Sequence, residues 1–234
     1  MSAIVHARNV VSFVRSWPRL SRMRIYRTVG DALTVDCEAA VERIYRESFP
    51  ASERDPFPEL WIAITSGKRD LTVAERDESV VGFAVTVAIP DARCVVLEYI
   101  AVDRARRGAG AGGQLFDAIV EAGRAHDYAR GAGLLLEVER PFPEDGPSED
   151  RRRRVEFYER RGGELVDCAP EFTVPSLTPG ESPREMRLIW VPFDPTPTPS
   201  GERLRALVRA LFTVSYELPP RHEILRTNLE ALVC

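Results

Sequence analysis

The sequence predicts a mixed α/β domain in which a mostly antiparallel central sheet of about seven strands is flanked by helices. Short β-branched runs alternate with stretches in which apolar residues recur every three or four positions. Strand-like runs at 70–76, 80–89 and 95–102 follow one another over short connections, which favours antiparallel neighbours. The consecutive leucines from Leu134 to Leu136 indicate a strand that is covered on both faces.

The elements can be assigned in chain order. A strand over 24–29 precedes a helix over 36–49, which ends at Pro50 because proline cannot continue helical hydrogen bonding. Ser148 is placed to cap a helix over 151–161, and Ser200 to cap one whose apolar residues run to Phe212. The other predicted elements are helices over 59–65, around 115–120 and over 225–232, strands over 70–76, 80–89, 95–102, 133–139, 163–168 and 185–191, and a turn at 75–78.

The composition is that of an ordinary globular protein and argues against several classes. Of the 234 residues 44% are apolar and 29% are charged, and a net charge of −4 gives no case for a nucleic-acid partner. No apolar stretch approaches the roughly 18 residues that a membrane span needs, so no membrane partner is expected. The four cysteines are far apart without metal-ligand spacing, and we therefore expect a reduced, cytoplasmic protein that holds no metal.

Three regions differ in composition. Residues 1–23 are basic and contain no acidic residue, which fits either an organelle targeting segment or a disordered extension. Residues 24–192 contain the predicted sheet. Residues 193–234 contain a Pro/Thr spacer and two amphipathic helices, which we expect to pack on the sheet domain or to form a homodimer contact.

The stretch after the strand at 95–102 predicts an anion-binding loop. A glycine-rich turn at a helix start directs free N–H groups at one spot, and the helix dipole adds positive potential there. Glycines also let a phosphate approach closely, because they lack a Cβ atom. Four glycines occupy this helix start: Gly108, Gly110, Gly112 and Gly113. Three arginines supply countercharge for a pyrophosphate: Arg104, Arg106 and Arg107.

Two kinds of protein use such a loop. The run from Gly108 to Gly113 fits the dinucleotide pattern G-x-G-x-x-G, and Glu137 and Glu139 on the next strand satisfy its acidic criterion. In that fold the glycines come directly off the strand, whereas a charged turn at 103–107 intervenes here. A dinucleotide fold also repeats βαβ units, whereas the elements before this loop resemble an antiparallel meander.

The run from Arg107 to Gly112, RGAGAG, resembles the acetyl-coenzyme A signature of the GCN5-related N-acetyltransferases, the GNAT family. A second run at 154–162, RVEFYERRG, resembles that family's helix motif in which a Phe-Tyr pair precedes Gly-Phe. Gly163 stands where the family has the phenylalanine, which removes one packing aromatic and leaves Tyr158 in place. Both motifs lie in the family's order, and the resemblance covers about residues 24–192.

The resemblance implies an acyl-CoA N-acyltransferase fold and direct transfer of an acetyl group from acetyl-CoA, as cosubstrate, to an amine. The strand before the loop would splay from its neighbour, and the backbone of Ile100 and Val102 would pair with the pantetheine arm. An N–H near Val102 would polarise the thioester carbonyl. The pyrophosphate would be bound by the loop and helix start: Arg107, Gly108, Ala109, Gly110, Ala111, Gly112 and Gly113.

Two side chains are implied to be catalytic. Tyr158 would protonate the departing thiolate, because an unperturbed tyrosine titrates near 10, close to an alkyl thiol. Glu98 lies where family members carry the base that deprotonates the amine. A carboxylate inside an apolar strand is costly unless it meets a wet cleft or a partner, so a structural salt bridge is its alternative role. No histidine lies in the predicted site.

The acceptor stays open between a protein amine, an aminoglycoside, a polyamine and an amino acid. Its pocket is expected from the connections at 49–61, 141–150 and 171–183, because loops carry most specificity determinants. Two other functions are retained as alternatives: an acyl-CoA-binding regulatory module without turnover, and an NAD(P)-dependent oxidoreductase.

Overall fold

The computed structural model describes residues 23–28, 34–127, 129–140, 148–170, 172–178 and 180–233. The basic extension predicted at 1–23 lies outside this part of the chain, apart from its last residue. The helices are α1 (Val35–Ser48), α2 (Phe57–Thr65), α3 (Ala111–Arg124), α4 (Glu149–Glu159), α5 (Gly201–Ala210) and α6 (Glu223–Glu230). The strands are β1 (Met23–Thr28), β2 (Asp70–Arg76), β3 (Ser79–Ile89), β4 (Cys94–Val102), β5 (Gly133–Glu139), β6 (Glu164–Leu165), β7 (Thr173–Val174) and β8 (Arg184–Pro192).

Within the described residues the strands form one eight-stranded sheet. Its order is β1-β2-β3-β4-β5-β8-β6, and β7 pairs with β8 off this path. The β4–β5 pair is parallel and every other pair is antiparallel. The predicted mixed, mostly antiparallel fold class is therefore confirmed. One parallel pair in the described sheet does not make the repeated βαβ units of a dinucleotide fold.

The sheet opens between β4 and β5. The two strands pair from Cys94–Gly133 to Leu97–Leu136 and then separate, although β4 continues to Val102 and β5 to Glu139. Against β3, Leu97 pairs with Thr86 and Tyr99 with Val85, so Glu98 is the extra residue of a β-bulge. A bulge bends its strand and increases the local twist. The bulge at Glu98 therefore coincides with the start of a V-shaped opening, which we call the V.

The two faces of the sheet carry different helices. Leu97 and Leu136 pack against α3 and α4 with Phe116, whereas Val96 and Leu135 face the opposite side. On that opposite side lie α1 and α2 at one end and the C-terminal segment at the other. Strand alternation places Glu98 and Glu137 on this second face, beyond Val96 and Leu135.

The C-terminal segment is part of the core on this second face. Leu204, Leu207 and Phe212 are at most 1% exposed and pack in one cluster with Val96 and Trp190. Helix α5 passes into a π-helical turn over Leu211–Ser215, where the sequence predicts a continuous helix as far as Phe212. The turn leads residues 214–217 to the V.

Several boundaries differ from prediction for identifiable reasons. The strand predicted over 163–168 shortens to β6, because the chain turns at Val166, whose carbonyl accepts the N–H of Ala169 at 3.2 Å. The turn predicted at 75–78 contracts to Asp77 and Glu78, both at positive φ, because β2 stays paired to its end at Arg76. The cap predicted at Ser148 is confirmed: its hydroxyl accepts the N–H of Arg151 at 3.4 Å.

Among the cysteines, Cys37 and Cys94 are buried free thiols. Cys168 is disulfide-bonded. The expectation of fully reduced cysteines is therefore wrong at Cys168.

Candidate active site

The loop between β4 and α3 has the backbone geometry of an anion cradle. Gly108 and Gly110 have φ angles of +82° and +81°, a region that residues with a Cβ atom rarely adopt. Gly110 is the N-cap of α3 and makes no side-chain cap hydrogen bond. Among the described residues, the N–H groups at this helix start therefore have no capping side chain, and the positive end of the helix dipole lies beside them.

Side chains from other elements hold this loop in place. The carboxylate of Asp103 accepts the N–H of Ala105 at 2.9 Å and Nη2 of Arg43, on α1, at 2.6 Å. The hydrogen bond from Arg43 keeps the pKa of Asp103 below its usual range. Nη2 of Arg76, on β2, donates to the carbonyl of Ala109 at 3.3 Å. The cradle is therefore held by α1 and β2 without help from a ligand.

The positive charge at the cradle comes from two directions. Arg104, Arg106 and Arg107 of the loop are exposed, and Nε of Arg107 donates to the carbonyl of Val102 at 3.2 Å. Arg161 approaches from the end of α4, and a Cβ atom on Gly113 would overlap its guanidinium.

Arg161 is a residue that sequence reasoning missed. Its guanidinium lies 4.2 Å from the centre of the Phe157 ring. The signal was its position one helical turn after Phe157, on the side of the Phe-Tyr pair. The loop, its glycines and these arginines together fit the pyrophosphate of a coenzyme.

The backbone of β4 offers free hydrogen-bonding groups to the V. The N–H of Asp103 donates to the carbonyl of Val81 at 2.9 Å, which fixes the bonding direction at this end of the strand. Because that direction alternates along an antiparallel pair, the N–H groups of Ile100 and Val102 point away from β3 and into the V. The structure thus brings the two predicted backbone positions next to the cradle, although the Val102 carbonyl is taken by Arg107.

Tyr158 lies in the apolar layer between α3, α4 and the sheet. Its ring is 6% exposed, with ring centres 5.3 Å from Phe116 and 5.1 Å from Phe157. Burial raises the pKa of Tyr158 to about 12, which the nearby Arg154 partly opposes. The hydroxyl therefore stays protonated near neutral pH, and its proton is held more tightly than the unperturbed value assumed from sequence.

Glu98 sits at the bulge in a network of buried polar groups. Its Oε2 accepts Nε of Arg69 at 2.7 Å, and its Oε1 accepts the hydroxyl of Ser215 at 2.6 Å. Arg69 also donates to the carbonyls of Val214 and Ser215, both at 3.2 Å. Burial raises the pKa of Glu98, and the paired guanidinium opposes the rise. The structure therefore shows the salt bridge that is the alternative to a base role, and it places Glu98 at the V.

Glu137 faces the V from β5, and sequence reasoning did not assign it a role in the site. Its Oε2 accepts the hydroxyl of Tyr216 at 2.8 Å. Its Oε1 is buried and has no hydrogen-bond partner within the described residues. Burial raises the pKa of Glu137 to about 7, although Tyr216 and Arg184 oppose this. A carboxylate in the apolar run LLLEVE was the signal for it, by the same argument that singled out Glu98.

A cleft of about 610 Å³ opens on the second face at the V. Of the three predicted connections, 49–61 contributes five lining residues and 171–183 contributes Leu177. In the connection predicted at 141–150, residues 141–147 lie outside the described residues, and 148–150 do not line the cleft. The opposite wall, which sequence reasoning missed, comes from the C-terminal segment at Ser215, Tyr216 and Glu217. The cleft has the size of a small-molecule site.

The described part of the chain contains no group of acidic, histidine and cysteine residues that could hold a metal ion. None of its helices is long and apolar enough to cross a membrane. His126 and His222 do not line the cleft, and His6 lies outside the described residues.

The sequence model of the acetyltransferase (GNAT) family matches residues 38–162, which include β4, the cradle and Tyr158. The chain belongs to the GNAT family. It is an acyltransferase, and acetyl-CoA is the acyl donor that GNAT enzymes use. The sequence resemblance and the predicted enzyme class are therefore confirmed. No curated protein has a sequence that matches the chain.

Solved GNAT structures have a similar fold. A GNAT-family protein from Bacteroides thetaiotaomicron is 22% identical with a TM-score of 0.62, over 76% of this chain and 91% of that one. The ribosomal-protein-S18-alanine N-acetyltransferase of Escherichia coli is 17% identical with a TM-score of 0.51, over 75% and 97%. An aminoglycoside 6'-N-acetyltransferase in complex with coenzyme A is 15% identical with a TM-score of 0.55, over 74% and 99%. At these identities the likeness concerns the fold.

Proposed function

We propose that this GNAT enzyme transfers an acetyl group from acetyl-CoA directly to an amine, with Tyr158 as the general acid. One observation carries the proposal. A single strand, β4, presents Glu98 at the bulge and free N–H groups at Ile100 and Val102, and then runs into the glycine cradle. Phosphate binding, thioester polarisation and amine activation are thereby aligned along one strand.

The cradle would bind the pyrophosphate through the N–H groups of residues 108–113, with Arg107 and Arg161 as countercharges. The pantetheine arm would extend β4 by bonding to Ile100 and Val102 in the V. The N–H at Val102 is then a preorganised donor for the charge that develops on the carbonyl oxygen. Removing one donor of this type from an enzyme typically costs about 10²–10³ in kcat.

Tyr158 would give its proton to the thiolate as the thioester bond breaks. Its pKa of about 12 keeps the proton available at any physiological pH. The pKa gap to an ordinary thiol would make the transfer uphill, but a thiolate expelled into the same apolar surroundings has a raised pKa as well. Burial thus acts on donor and acceptor in the same direction.

Glu98 is proposed as the base that takes the proton of the attacking amine. Arg69 and Ser215 hold it at the V, and each carboxylate oxygen keeps a second lone pair that can accept a proton. The amine must be neutral to attack the thioester, so a fixed acceptor for its proton is required. Amine acceptors also occur among the similar structures, as a ribosomal-protein alanine and as aminoglycosides.

Replacement of Tyr158 by phenylalanine tests the proposal. We expect Tyr158→Phe to lower kcat for amine-dependent release of the CoA thiol by at least about 100-fold, the usual contribution of a general acid. The dissociation constant for acetyl-CoA should not change, because the described structure shows no hydrogen bond of this hydroxyl that would be lost. Tyr26→Phe, which removes a hydroxyl on β1, is the matched control and should keep full activity. A Tyr158→Phe enzyme with normal kcat would remove Tyr158 from the mechanism.

A further inference from the structure

The acceptor cleft is unusually acidic for a chain of this composition. Seven carboxylates line it: Glu53, Asp55, Glu59, Glu98, Glu137, Glu139 and Glu217. Four cationic side chains line it: Lys68, Arg69, Arg154 and Arg184. The excess of negative charge lies on the sheet face opposite α3 and α4, on the V where the proposed Glu98 base is found.

The three arginines are already neutralised by ion pairs. Arg69 pairs with Glu98 at 2.7 Å, and it also lies 3.7 Å from the more exposed Glu217. Two further pairs close the rim: Arg184 with Glu53 at 2.6 Å, and Arg154 with Glu139 at 2.9 Å. Each of these arginines therefore has a carboxylate partner.

The carboxylates that have no cationic partner in the cleft are the ones that matter for a ligand. Among the described residues, the carboxylate of Asp55 accepts only the hydroxyl of Tyr99, at 3.0 Å, and Glu59 has no ion pair. The carboxylate of Glu137 accepts only the hydroxyl of Tyr216 within the same part of the chain. Lys68 is the one cationic side chain of the lining that has no ion pair within the described residues.

Glu137 supplies an independent sign of a ligand. Glu137 lines the cleft, and its Oε1 is buried and has no hydrogen-bond partner among the described residues. A buried acceptor without a partner costs free energy, typically about 1–3 kcal/mol and more for a charged group. In native proteins a water molecule, an ion or a ligand completes the hydrogen bonding of such groups, and a ligand ammonium group can do so here.

We infer that the acceptor is a small amine with more than one cationic group, and that Oε1 of Glu137 binds an ammonium group of it. The inference rests on the proposed acetyl transfer to an amine. The nitrogen that attacks must be neutral when it reacts, so it cannot also match the negative charge of the cleft. A second nitrogen that stays protonated matches it. In this arrangement Glu98 serves the reacting nitrogen, and Glu137 holds the one that does not react.

Tyr216 is the positioning residue for Glu137. Its ring stacks on Phe212 at 5.5 Å with an angle of 28°, and its hydroxyl donates to Oε2, which leaves Oε1 without a partner among the described residues. Both aromatic residues belong to the C-terminal segment, beyond the residues 38–162 that match the family. The charged groups facing Glu137 are Arg184 on β8 and Glu98 on β4, beside the Tyr216 hydroxyl. Glu137 itself lies on β5 within the family-matched range, and the residue that positions it comes from the C-terminal segment.

Calorimetric titration with spermidine tests the inference without turnover. The proteins are the full chain, Glu137→Gln, Tyr216→Phe and the control Glu121→Gln, which removes an exposed carboxylate on α3. Glutamate, an amine with net negative charge, is the comparison ligand. We expect spermidine to bind the full chain and Glu121→Gln equally, and to bind Glu137→Gln at least tenfold more weakly. Tyr216→Phe should shift the pH at which spermidine binding sets in, because it removes the hydroxyl that stabilises the Glu137 anion.

Each result has one meaning. Equal binding of spermidine by Glu137→Gln, a preference for glutamate, or no spermidine binding would overturn the inference. Should Glu137→Gln not fold, the preference of the unchanged protein between spermidine and glutamate still decides. Acetyl-CoA is titrated separately: binding of acetyl-CoA without spermidine leaves acetyl transfer standing and the cation site refuted. Binding of spermidine without binding of acetyl-CoA would leave the cation site standing and refute acetyl transfer.

Discussion

Glu98 and Glu137 occupy equivalent places on neighbouring strands, one residue past the last paired residues Leu97 and Leu136. Their partners differ. Glu98 faces the guanidinium of Arg69, which favours its anion, whereas Glu137 is bonded by a neutral hydroxyl and is raised in pKa to about 7. Two nearby carboxylates are easier to bury when one is paired and the other holds a proton. The two identical side chains thus differ in environment: Glu98 is paired with a cation, whereas Glu137 gives up its proton only near pH 7 and would bind a cation from about that pH upward.

The state of Glu137 predicts how stability depends on pH. In the folded chain Glu137 holds its proton up to about pH 7, whereas in the unfolded chain it loses it near its ordinary value of 4.5. Between these values the folded state binds more protons, so the free energy of unfolding falls as the pH rises. Glu137→Gln cannot titrate and should avoid this loss.

Urea unfolding at pH 5 and pH 8 measures the effect. Relative to the unchanged protein, Glu137→Gln should gain up to about 3 kcal/mol between the two pH values. Burial also raises the pKa of Glu98, but Glu98 is present in both proteins, so its contribution to the difference between them cancels. The control Glu121→Gln should show the same difference from the unchanged protein at both pH values. An equally constant difference for Glu137→Gln would show that Glu137 is not protonated in the folded chain.

At the residue scale, the sequence singles out candidate residues where a local pattern exists. Tyr158 and Glu98 stand out because each lies in a motif or interrupts an apolar run. Ser215 and Tyr216 do not, because their partners Glu98 and Glu137 are 117 and 79 residues away in the chain. Arg69 is likewise 146 residues from the Ser215 carbonyl that it binds. No spacing rule connects such distant residues before the fold is known.

At the element scale, the start of α3 determines whether the cradle can bind phosphate. Gly110→Ala places a Cβ atom at a φ of +81°, which costs about 1–2 kcal/mol, at the N-cap of α3 where the phosphate is expected to approach. We expect the added methyl group to obstruct this close approach and to raise the dissociation constant for acetyl-CoA by roughly tenfold or more, a loss of about 1.4 kcal/mol in binding free energy. Calorimetric titration measures this change.

Gly131→Ala is the matched control for this element. Gly131 has a φ of +70°, and a Cβ atom there would meet only Nη1 of Arg93, at 3.8 Å. It precedes β5, so the substitution carries the same backbone strain away from the cradle. Both variants should lose similar stability, while only Gly110→Ala should lose acetyl-CoA affinity. Equal loss of affinity in both would mean that strain alone, and no contact at the cradle, explains the effect.

Most elements could be predicted because their signals are local. Strands β2 and β5 have the predicted bounds, and α1 begins at Val35 because Thr34 accepts the N–H of Cys37 as its cap. The two-residue strand β7 was not foreseen, since its pairing partner on β8 supplies the reason for it. The π-helical turn after α5 was also not predicted, because the spacing of apolar residues does not distinguish it from an α-helix. Elements defined by a partner are thus invisible until the partner is placed.

At the scale of the whole molecule, the two groups of candidate site residues lie on opposite faces of the sheet at the V. The cradle, α3 and Tyr158 belong to one face, and the acidic cleft belongs to the other, so a donor and an acceptor can approach the bulge at Glu98 from opposite sides. The family pattern singles out residues on the first face. The second face is closed by the C-terminal segment. The amphipathic pattern of this segment indicated packing on the sheet as one of two possibilities, but it did not indicate that the segment lines the cleft.

The central claim is that the cradle and the V bind acetyl-CoA, and calorimetric titration of the purified chain tests it most directly. Acetyl-CoA and NADPH are titrated in parallel, because a glycine loop at a helix start can serve either. We predict that acetyl-CoA binds and that NADPH does not. Binding of NADPH alone, or of neither ligand, would contradict the account.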